Sequence, residues 1–124
     1  MKVKNMRICI RSLRDSLQLF GEAYETLQRG EKVIPRHELA FPDAEALRTV
    51  LTNRRLELLH IIRRQSPPSV YALAHLVDRD LKSVNTDLRV LVNLGLVELE
   101  HIQEARKKVK PIVTYDKLNV EIQL

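Results

Sequence analysis

The chain has 124 residues with a formal charge of +5, and hydrophobic residues make up 44% of it. This length allows one domain with a short extension, and the basic balance favours an anionic partner, because lysine and arginine release the counterions condensed on phosphates. The single cysteine excludes an internal disulfide, and the chain has neither a signal peptide nor an apolar run long enough to span a membrane. We therefore expect a cytoplasmic protein with no membrane association.

The N-terminal third predicts one strand and one amphipathic helix. In residues 6–11, MRICIR, apolar and polar side chains alternate with the period of a half-buried strand. Ser12 is placed to cap a helix, and an apolar stripe follows it until Gly30. Its own domain or the same helix of a second copy must cover this stripe, and the pattern does not distinguish the two. The stripe consists of Leu13, Leu17, Phe20, Tyr24 and Leu27.

Residues 31–42 contain two prolines and no sustained period, which is typical of a connection that can include a short extended piece. We place the domain boundary here. Residues 1–42 then form a strand and helix extension for dimerisation or partner docking, and residues 43–124 form the second domain. A short helix is predicted over 43–50, and Thr52 is a good N-cap for a longer one. The inner face of this longer helix is predicted to carry Leu56, Leu59 and Ile62. Its outer face carries Arg54, Arg55, Arg63 and Arg64, which we interpret as a solvated face.

Residues 69–98 predict two short helices, a polar turn, a glycine and the start of a strand. Ser69 is the expected N-cap of the first helix and Asp80 that of the second. Gly95 ends the second helix in the left-handed conformation that glycine adopts at little cost. The apolar face predicted for this second helix carries Leu81, Val84, Leu88 and Leu91.

The opposite face of the second helix carries side chains suited to reading DNA. Arginine and lysine match guanine edges, asparagine matches adenine, and small hydroxyls allow the backbone to approach closely. We therefore interpret the segment from Asp80 to Leu94 as a recognition helix for the major groove. Its predicted DNA contacts are Lys82, Ser83, Asn85, Thr86 and Arg89.

Two strands joined by a basic loop are predicted after Gly95. The first begins with Leu96, Val97 and Leu99, and the second covers residues 111–115. A basic loop beside a recognition helix can contact phosphates or the minor groove, as a wing does. The predicted wing contacts are Arg106, Lys107, Lys108 and Lys110.

The chain ends in NVEIQL, residues 119–124, which alternates as a last strand. This strand requires a partner edge, and MRICIR is a candidate, within one chain or between two. Together the predicted elements describe an α+β fold.

The segments LTNRRLELLHIIRR and SVYALAHLVDRDLKSVNTDLRVLVNLGLVE resemble the winged helix-turn-helix of small prokaryotic transcriptional regulators of the MarR and ArsR superfamily, some of them antitoxin-like. The resemblance covers Thr52 to Leu124 well and the N-terminal third more loosely. It implies a winged helix-turn-helix domain in a homodimer that reads two half-sites of double-stranded DNA. Two positions depart from the pattern. Asp78 stands where many relatives have glycine, and Asp87 places an acid on the recognition helix, where it must lie on the side rather than at the tip.

The first hypothesis for function is sequence-specific transcription regulation without catalysis or a cofactor. An enzyme is disfavoured because the chain has no phosphate-binding glycine loop, HExxH motif or nucleophile elbow. A metal site is disfavoured because Cys9 has no second cysteine, the four histidines are scattered, and Asp78 and Asp80 lie at a helix junction. The alternative hypothesis is an antitoxin or protein-interaction adaptor whose N-terminal segment binds a toxin or another regulator.

Overall fold

A computed structural model describes residues 5–33, 38–102 and 108–124. Over these residues the chain forms a small α+β fold, which confirms the predicted class. The structure contains five helices and five strands within the described ranges. In chain order they are β1 (Asn5–Ile10), α1 (Leu13–Gln28), β2 (Glu38–Phe41), α2 (Ala44–Val50), α3 (Asn53–Gln65), α4 (Val70–Leu76), α5 (Leu81–Asn93), β3 (Glu98–Ile102), β4 (Lys108–Ile112) and β5 (Lys117–Ile122).

The chain separates into two compact units. The first comprises Met1–Thr49 and Lys117–Leu124, and the second comprises Val50–Asp116. The division predicted from sequence lies after residue 42 and keeps the last strand with the second domain, whereas in the structure β5 and most of α2 belong to the first unit. The last strand belongs to the first unit because β5 pairs with β1, a pairing that the sequence analysis named as a candidate but did not use in placing the domain boundary.

The first unit contains a three-stranded sheet in the order β2-β1-β5, and β1 is parallel to both neighbours. Ile8 at its centre lies opposite Leu39 on one side and Val120 on the other. The predicted pairing of MRICIR with NVEIQL is confirmed, and it occurs within one chain. Ile8, Cys9 and Ile10 are all buried, so both faces of β1 are covered.

A buried ion pair lies at the carboxyl end of β1. Nη2 of Arg11 donates to Oε1 of Glu38, and both side chains are less than one-tenth exposed. The Cys9 thiol donates to the other carboxylate oxygen, Oε2, over 3.2 Å. Burial raises the pKa of Cys9. The thiol therefore stays protonated and serves as a hydrogen-bond donor rather than as a reactive thiolate.

Helix α1 begins and ends where the sequence predicts. The Ser12 hydroxyl accepts the backbone N–H of Asp15 at 3.2 Å, and Gly30 follows the helix at a φ of 76°. None of the helix residues is buried. The five residues of the predicted apolar stripe are between 56% and 72% exposed, so no described part of the chain covers them.

The second unit packs α3, α4, α5 and the β3-β4 hairpin around an apolar core. The predicted N-caps are confirmed, because Thr52 accepts the N–H of Arg55 and Ser69 accepts the N–H of Ala72. The phenol of Tyr115 donates to the backbone oxygen of Leu96 over 2.9 Å inside this core. The buried core residues of the unit are Leu58, Leu59, Ile62, Leu73, Ala74, Val84, Leu88, Leu91, Leu96, Val97, Val113 and Tyr115.

Three details of this unit differ from the predictions. Leu58 is fully buried although the sequence placed Leu56 on the inner face, and Leu56 is half-buried. Leu81 is 43% exposed, so the buried face of α5 begins one turn later, at Val84. Lys108 and Lys110 were predicted on a loop and instead lie in β4, because the antiparallel ladder with β3 continues that far.

The left-handed conformation predicted for Gly95 is confirmed, and Asp78, which stands where many relatives have glycine, is left-handed as well. Asp78 has a φ of 52°, the left-handed conformation for which glycine would be the usual choice, and Gly95 has a φ of 77°. Among the described residues, no helix is both long enough and apolar enough to cross a membrane.

Candidate nucleic-acid interface

The start of α5 is set by Asp80. Its Oδ2 accepts the backbone N–H of Ser83 at 3.0 Å, and its Oδ1 accepts the Ser83 hydroxyl at 2.8 Å. The hydroxyl of Ser83, followed by its backbone N–H, lowers the pKa of Asp80. The carboxylate therefore stays charged at the positive end of the helix and defines where the exposed face of α5 begins.

One face of α5 presents three polar side chains to solvent. Lys82, Asn85 and Arg89 are exposed, and none of their side chains makes a hydrogen bond or ion pair with another residue in the described part of the chain. Their spacing of three and four residues places them on one side of the helix. The opposite side carries buried Val84 and Leu88. The structure thus brings three of the five predicted contact residues together with their polar groups unoccupied.

The two hydroxyl residues predicted as contacts are partly committed to the helix itself. The Thr86 hydroxyl donates to the backbone oxygen of Lys82 at 3.0 Å, and the Ser83 hydroxyl donates to Asp80. Thr86 is exposed and Ser83 is half-buried. Each oxygen can still accept a hydrogen bond, but neither donor hydrogen is available without breaking a bond in the chain. At an interface these two residues would allow close approach through their small size and would accept hydrogen bonds.

Asp87 lies on the flank of α5, as the sequence analysis required. Its Oδ1 accepts Nε of Arg55 at 3.1 Å, and its Oδ2 accepts Nη2 of Arg79 at 2.7 Å. The three side chains are between 14% and 17% exposed. Both carboxylate oxygens are therefore occupied by cations and turned away from the exposed face.

This cluster corrects one prediction about α3. Arg55 was expected on the solvated outer face with the other arginines, but it is directed inward toward Asp87, and its Nη1 also donates to the backbone oxygen of Val50 at 2.6 Å. Sequence periodicity placed it outside because a charged residue usually is, and a buried acid on another helix reverses that preference. Arg54, Arg63 and Arg64 are exposed as predicted.

The β3-β4 hairpin places the described part of the predicted wing. Lys108 is exposed and lies opposite Ile102, whereas Lys110 is half-buried and lies directly across from Glu100. Arg106 and Lys107 lie outside the described residues.

A groove of about 630 Å³ lies between the start of α4, the exposed side of α5 and the hairpin. Asn85 and Arg89 line it together with two residues that the sequence analysis did not single out as contacts, Tyr71 and His101. Tyr71 is 64% exposed and packs edge-on against His75, with ring centroids 4.6 Å apart. An exposed aromatic two residues after the Ser69 cap is a signal that could have identified Tyr71. His101 has no such signal, because only the packing of the hairpin brings it to the groove.

The described residues offer this surface for binding through charge and hydrogen bonds. Within the ranges that the structure covers, no group of three or more His, Cys, Asp or Glu side chains is placed to hold a metal ion. The groove walls are largely apolar, with Leu81 and Leu99 partly exposed along them. A ligand at this surface would therefore meet cationic and amide groups beside apolar ones.

The geometry defines a small α+β protein in which one helix exposes a face of cationic and amide groups beside a β-hairpin. The chain belongs to the HVO_A0114 family, whose model matches residues 50–120, more than half of its length. The matched span includes α3, α4, α5 and both strands of the hairpin. No curated protein and no solved structure matches the chain.

Proposed function

We propose that the chain is a transcriptional regulator of the winged helix-turn-helix class, similar to the MarR and ArsR types, that binds specific double-stranded DNA as a homodimer. In this proposal α4 and α5 form the helix-turn-helix, α5 enters the major groove, and the β3-β4 hairpin is the wing. The protein has no catalytic role and requires no cofactor.

The observation that carries the proposal is the exposed face of α5. Arg89 can make a bidentate contact with guanine and Asn85 with adenine, and such a pair contributes about 1–3 kcal/mol of discrimination against a wrong base. Lys82, near the helix start, is placed for a guanine or a phosphate. These side chains have no partner among the described residues, so binding DNA would break no bond within that part of the chain.

The wing has a different role in the proposal. Lys108 on β4 is exposed and would contact a phosphate, which positions the protein without reading sequence. Lys110 contributes less, because it is half-buried. The remaining proposed wing contacts are Arg106 and Lys107.

A gel shift on the DNA upstream of the chain's own gene, at two salt concentrations, tests the proposal. Arg89→Ala should weaken specific binding by about 1–3 kcal/mol while leaving binding to random duplex nearly unchanged. The matched control is Arg64→Ala, which removes the same charge from an exposed position on α3. We expect this control to keep the specific affinity. Equal affinity of the wild type and Arg89→Ala for the upstream DNA would contradict the assignment of α5.

A second candidate function is an antitoxin or protein adaptor, and the uncovered apolar stripe of α1 favours it. Five apolar side chains on one helix face, each more than half exposed, form a surface that soluble monomers rarely leave open. DNA affinity distinguishes a pure adaptor from the regulator, whereas an antitoxin would bind both its operator and a toxin. An adaptor would bind the upstream DNA no more tightly than random duplex and would instead form a stoichiometric complex with a toxin encoded beside it.

A further inference from the structure

The apolar face of α1 follows a strict heptad pattern. We call this face, made of Leu13, Leu17, Phe20, Tyr24 and Leu27, the α1 seam. Its residues are separated by four, three, four and three positions, which is the a and d spacing of a coiled coil. A helix that packs on a sheet or a globular core usually has a wider apolar stripe. The narrow seam therefore matches one other helix as its partner.

The chain itself does not supply that partner within its described residues. No residue of α1 is buried, and the five seam residues are 69%, 61%, 72%, 56% and 60% exposed in chain order. An amphipathic helix of 16 residues gains little stability from its backbone alone and depends on packing. The seam is thus a surface whose burial would stabilise α1.

The residues that flank the seam allow another helix to approach closely. Ser16, Gly21 and Ala23 occupy flanking positions and are small and uncharged. A Cβ added at Gly21 would meet nothing within 4 Å, so no contact among the described residues requires a glycine in the middle of this helix. A glycine there costs about 1 kcal/mol relative to alanine, and close approach of a second helix would explain its presence.

The charges of α1 indicate which kind of helix can pair with the seam. Asp15, Glu22 and Glu25 lie on the outer positions of the heptad and do not flank the seam. Coiled coils select a partner of different charge through their flanking positions, and here Arg14 is the one charged residue among them. A near-neutral seam has no means of selecting an oppositely charged partner. It can pair with an identical seam without repulsion.

We infer that α1 pairs with α1 of a second copy, and that this helix pair is the dimer interface. The seam side chains expose on the order of 600 Å² per copy, so a symmetric pair could bury at most about 1,200 Å², which is the lower end of stable interfaces. The inference rests on the proposed function in one respect, because reading two half-sites requires a twofold partner. The geometry of the seam is independent of DNA.

Light scattering on the full chain tests the inference. The wild type should have twice the mass of a single chain, and Leu17→Glu should raise the dimer dissociation constant by at least about 100-fold, because each copy would bring a carboxylate into the seam. Leu17 is 61% exposed within the chain, so the variant should fold, and a retained circular dichroism spectrum checks this. The matched control is Gln18→Glu, which adds the same carboxylate one residue away on the outer face. This control should remain a dimer.

Phe20→Ala provides a second variant that adds no charge, and it should also weaken the dimer. A monomeric wild type at the highest workable concentration would overturn the inference. A dimer that persists in both Leu17→Glu and Phe20→Ala would do the same, since the interface would then lie elsewhere. A wild type that is monomeric alone and forms a complex only with a toxin would assign the seam to the toxin. That result would overturn the inference as well.

Binding to a single half-site separates this inference from the proposed function. If both hold, monomeric Leu17→Glu should still bind an isolated half-site like the wild type and lose affinity only for the complete palindrome. A wild-type dimer that binds no specific DNA, and that Leu17→Glu dissociates, would contradict the function and support the seam. A wild-type monomer that binds specific DNA would do the reverse.

Discussion

Asp87 on α5 accepts a hydrogen bond from the side chain of Arg55 on α3, with 3.1 Å between Oδ1 and Nε. The second oxygen of the same carboxylate accepts Arg79 from the turn before α5, at 2.7 Å. One acid therefore holds two helices and the turn together in the second unit. These bonds hold α5 on its packed side, while the face with Lys82, Asn85 and Arg89 remains exposed to solvent.

Asp87→Ala should destabilise the fold by about 3–5 kcal/mol, because it leaves two largely buried guanidinium groups without their carboxylate. Arg79 has no ready substitute for the lost carboxylate, since its Nε is already buried without a partner among the described residues. Urea unfolding followed by circular dichroism measures the effect. Thr86→Ala, at the exposed neighbouring position, should stay within about 0.5 kcal/mol of the wild type. A small loss for Asp87→Ala would show that the cluster contributes little to stability.

Two ion pairs, one on β1 and one just after its end, allow the effect of burial on the strength of an ion pair to be compared directly. Arg11–Glu38 is less than one-tenth exposed, whereas Arg7–Glu121 is more than half exposed, with 3.7 Å between Nε and Oε1. Glu38→Gln should cost about 3–5 kcal/mol because it leaves a buried guanidinium uncompensated. Glu121→Gln should change the free energy of unfolding by less than about 1 kcal/mol. Similar losses in the two variants, measured by urea unfolding, would contradict this account of the first unit.

The caps of four helices could be predicted from sequence because each is a local arrangement. Ser12, Thr52, Ser69 and Asp80 accept a backbone N–H three residues further on, and that distance is visible in the sequence itself. The α5 face could be predicted for the same reason, since helical period places its polar residues together. Local spacing therefore predicts where these helices begin and which residues share a face.

Features that depend on packing between elements could not be read from the pattern. Arg55 lies inward because an acid on α5 pairs with it, and Leu81 stays exposed because no described neighbour covers the first turn of that helix. His101 reaches the groove through the register of the hairpin. Each of these outcomes is set by residues distant in sequence, and the helical or strand period of one element does not specify such contacts.

The two left-handed residues around α5 should respond in opposite directions to substitution. Asp78→Gly should stabilise the fold by up to about 1 kcal/mol, because glycine adopts a φ of 52° at little cost. Gly95→Ala should destabilise it by about 1–2 kcal/mol for the same reason. A Cβ at Gly95 would meet nothing within 4 Å, so the loss would come from backbone conformation and not from a clash. Thermal unfolding measures both, and a stabilising Gly95→Ala would refute the argument.

Tyr115 should make stability fall at high pH. Burial raises the pKa of its phenol to about 12, from an ordinary value of 10.0. The neutral phenol is favoured in the folded state, so its contribution is complete below pH 10 and is lost as the pH rises toward 12, by up to about 2 kcal/mol. Tyr115→Phe should remove this slope and cost about 1 kcal/mol at neutral pH, because the bond to Leu96 is lost. Tyr71→Phe, at an exposed position, should keep the slope. Urea unfolding between about pH 9 and about pH 12 measures all three proteins, and an identical slope in Tyr115→Phe would assign the loss to other groups.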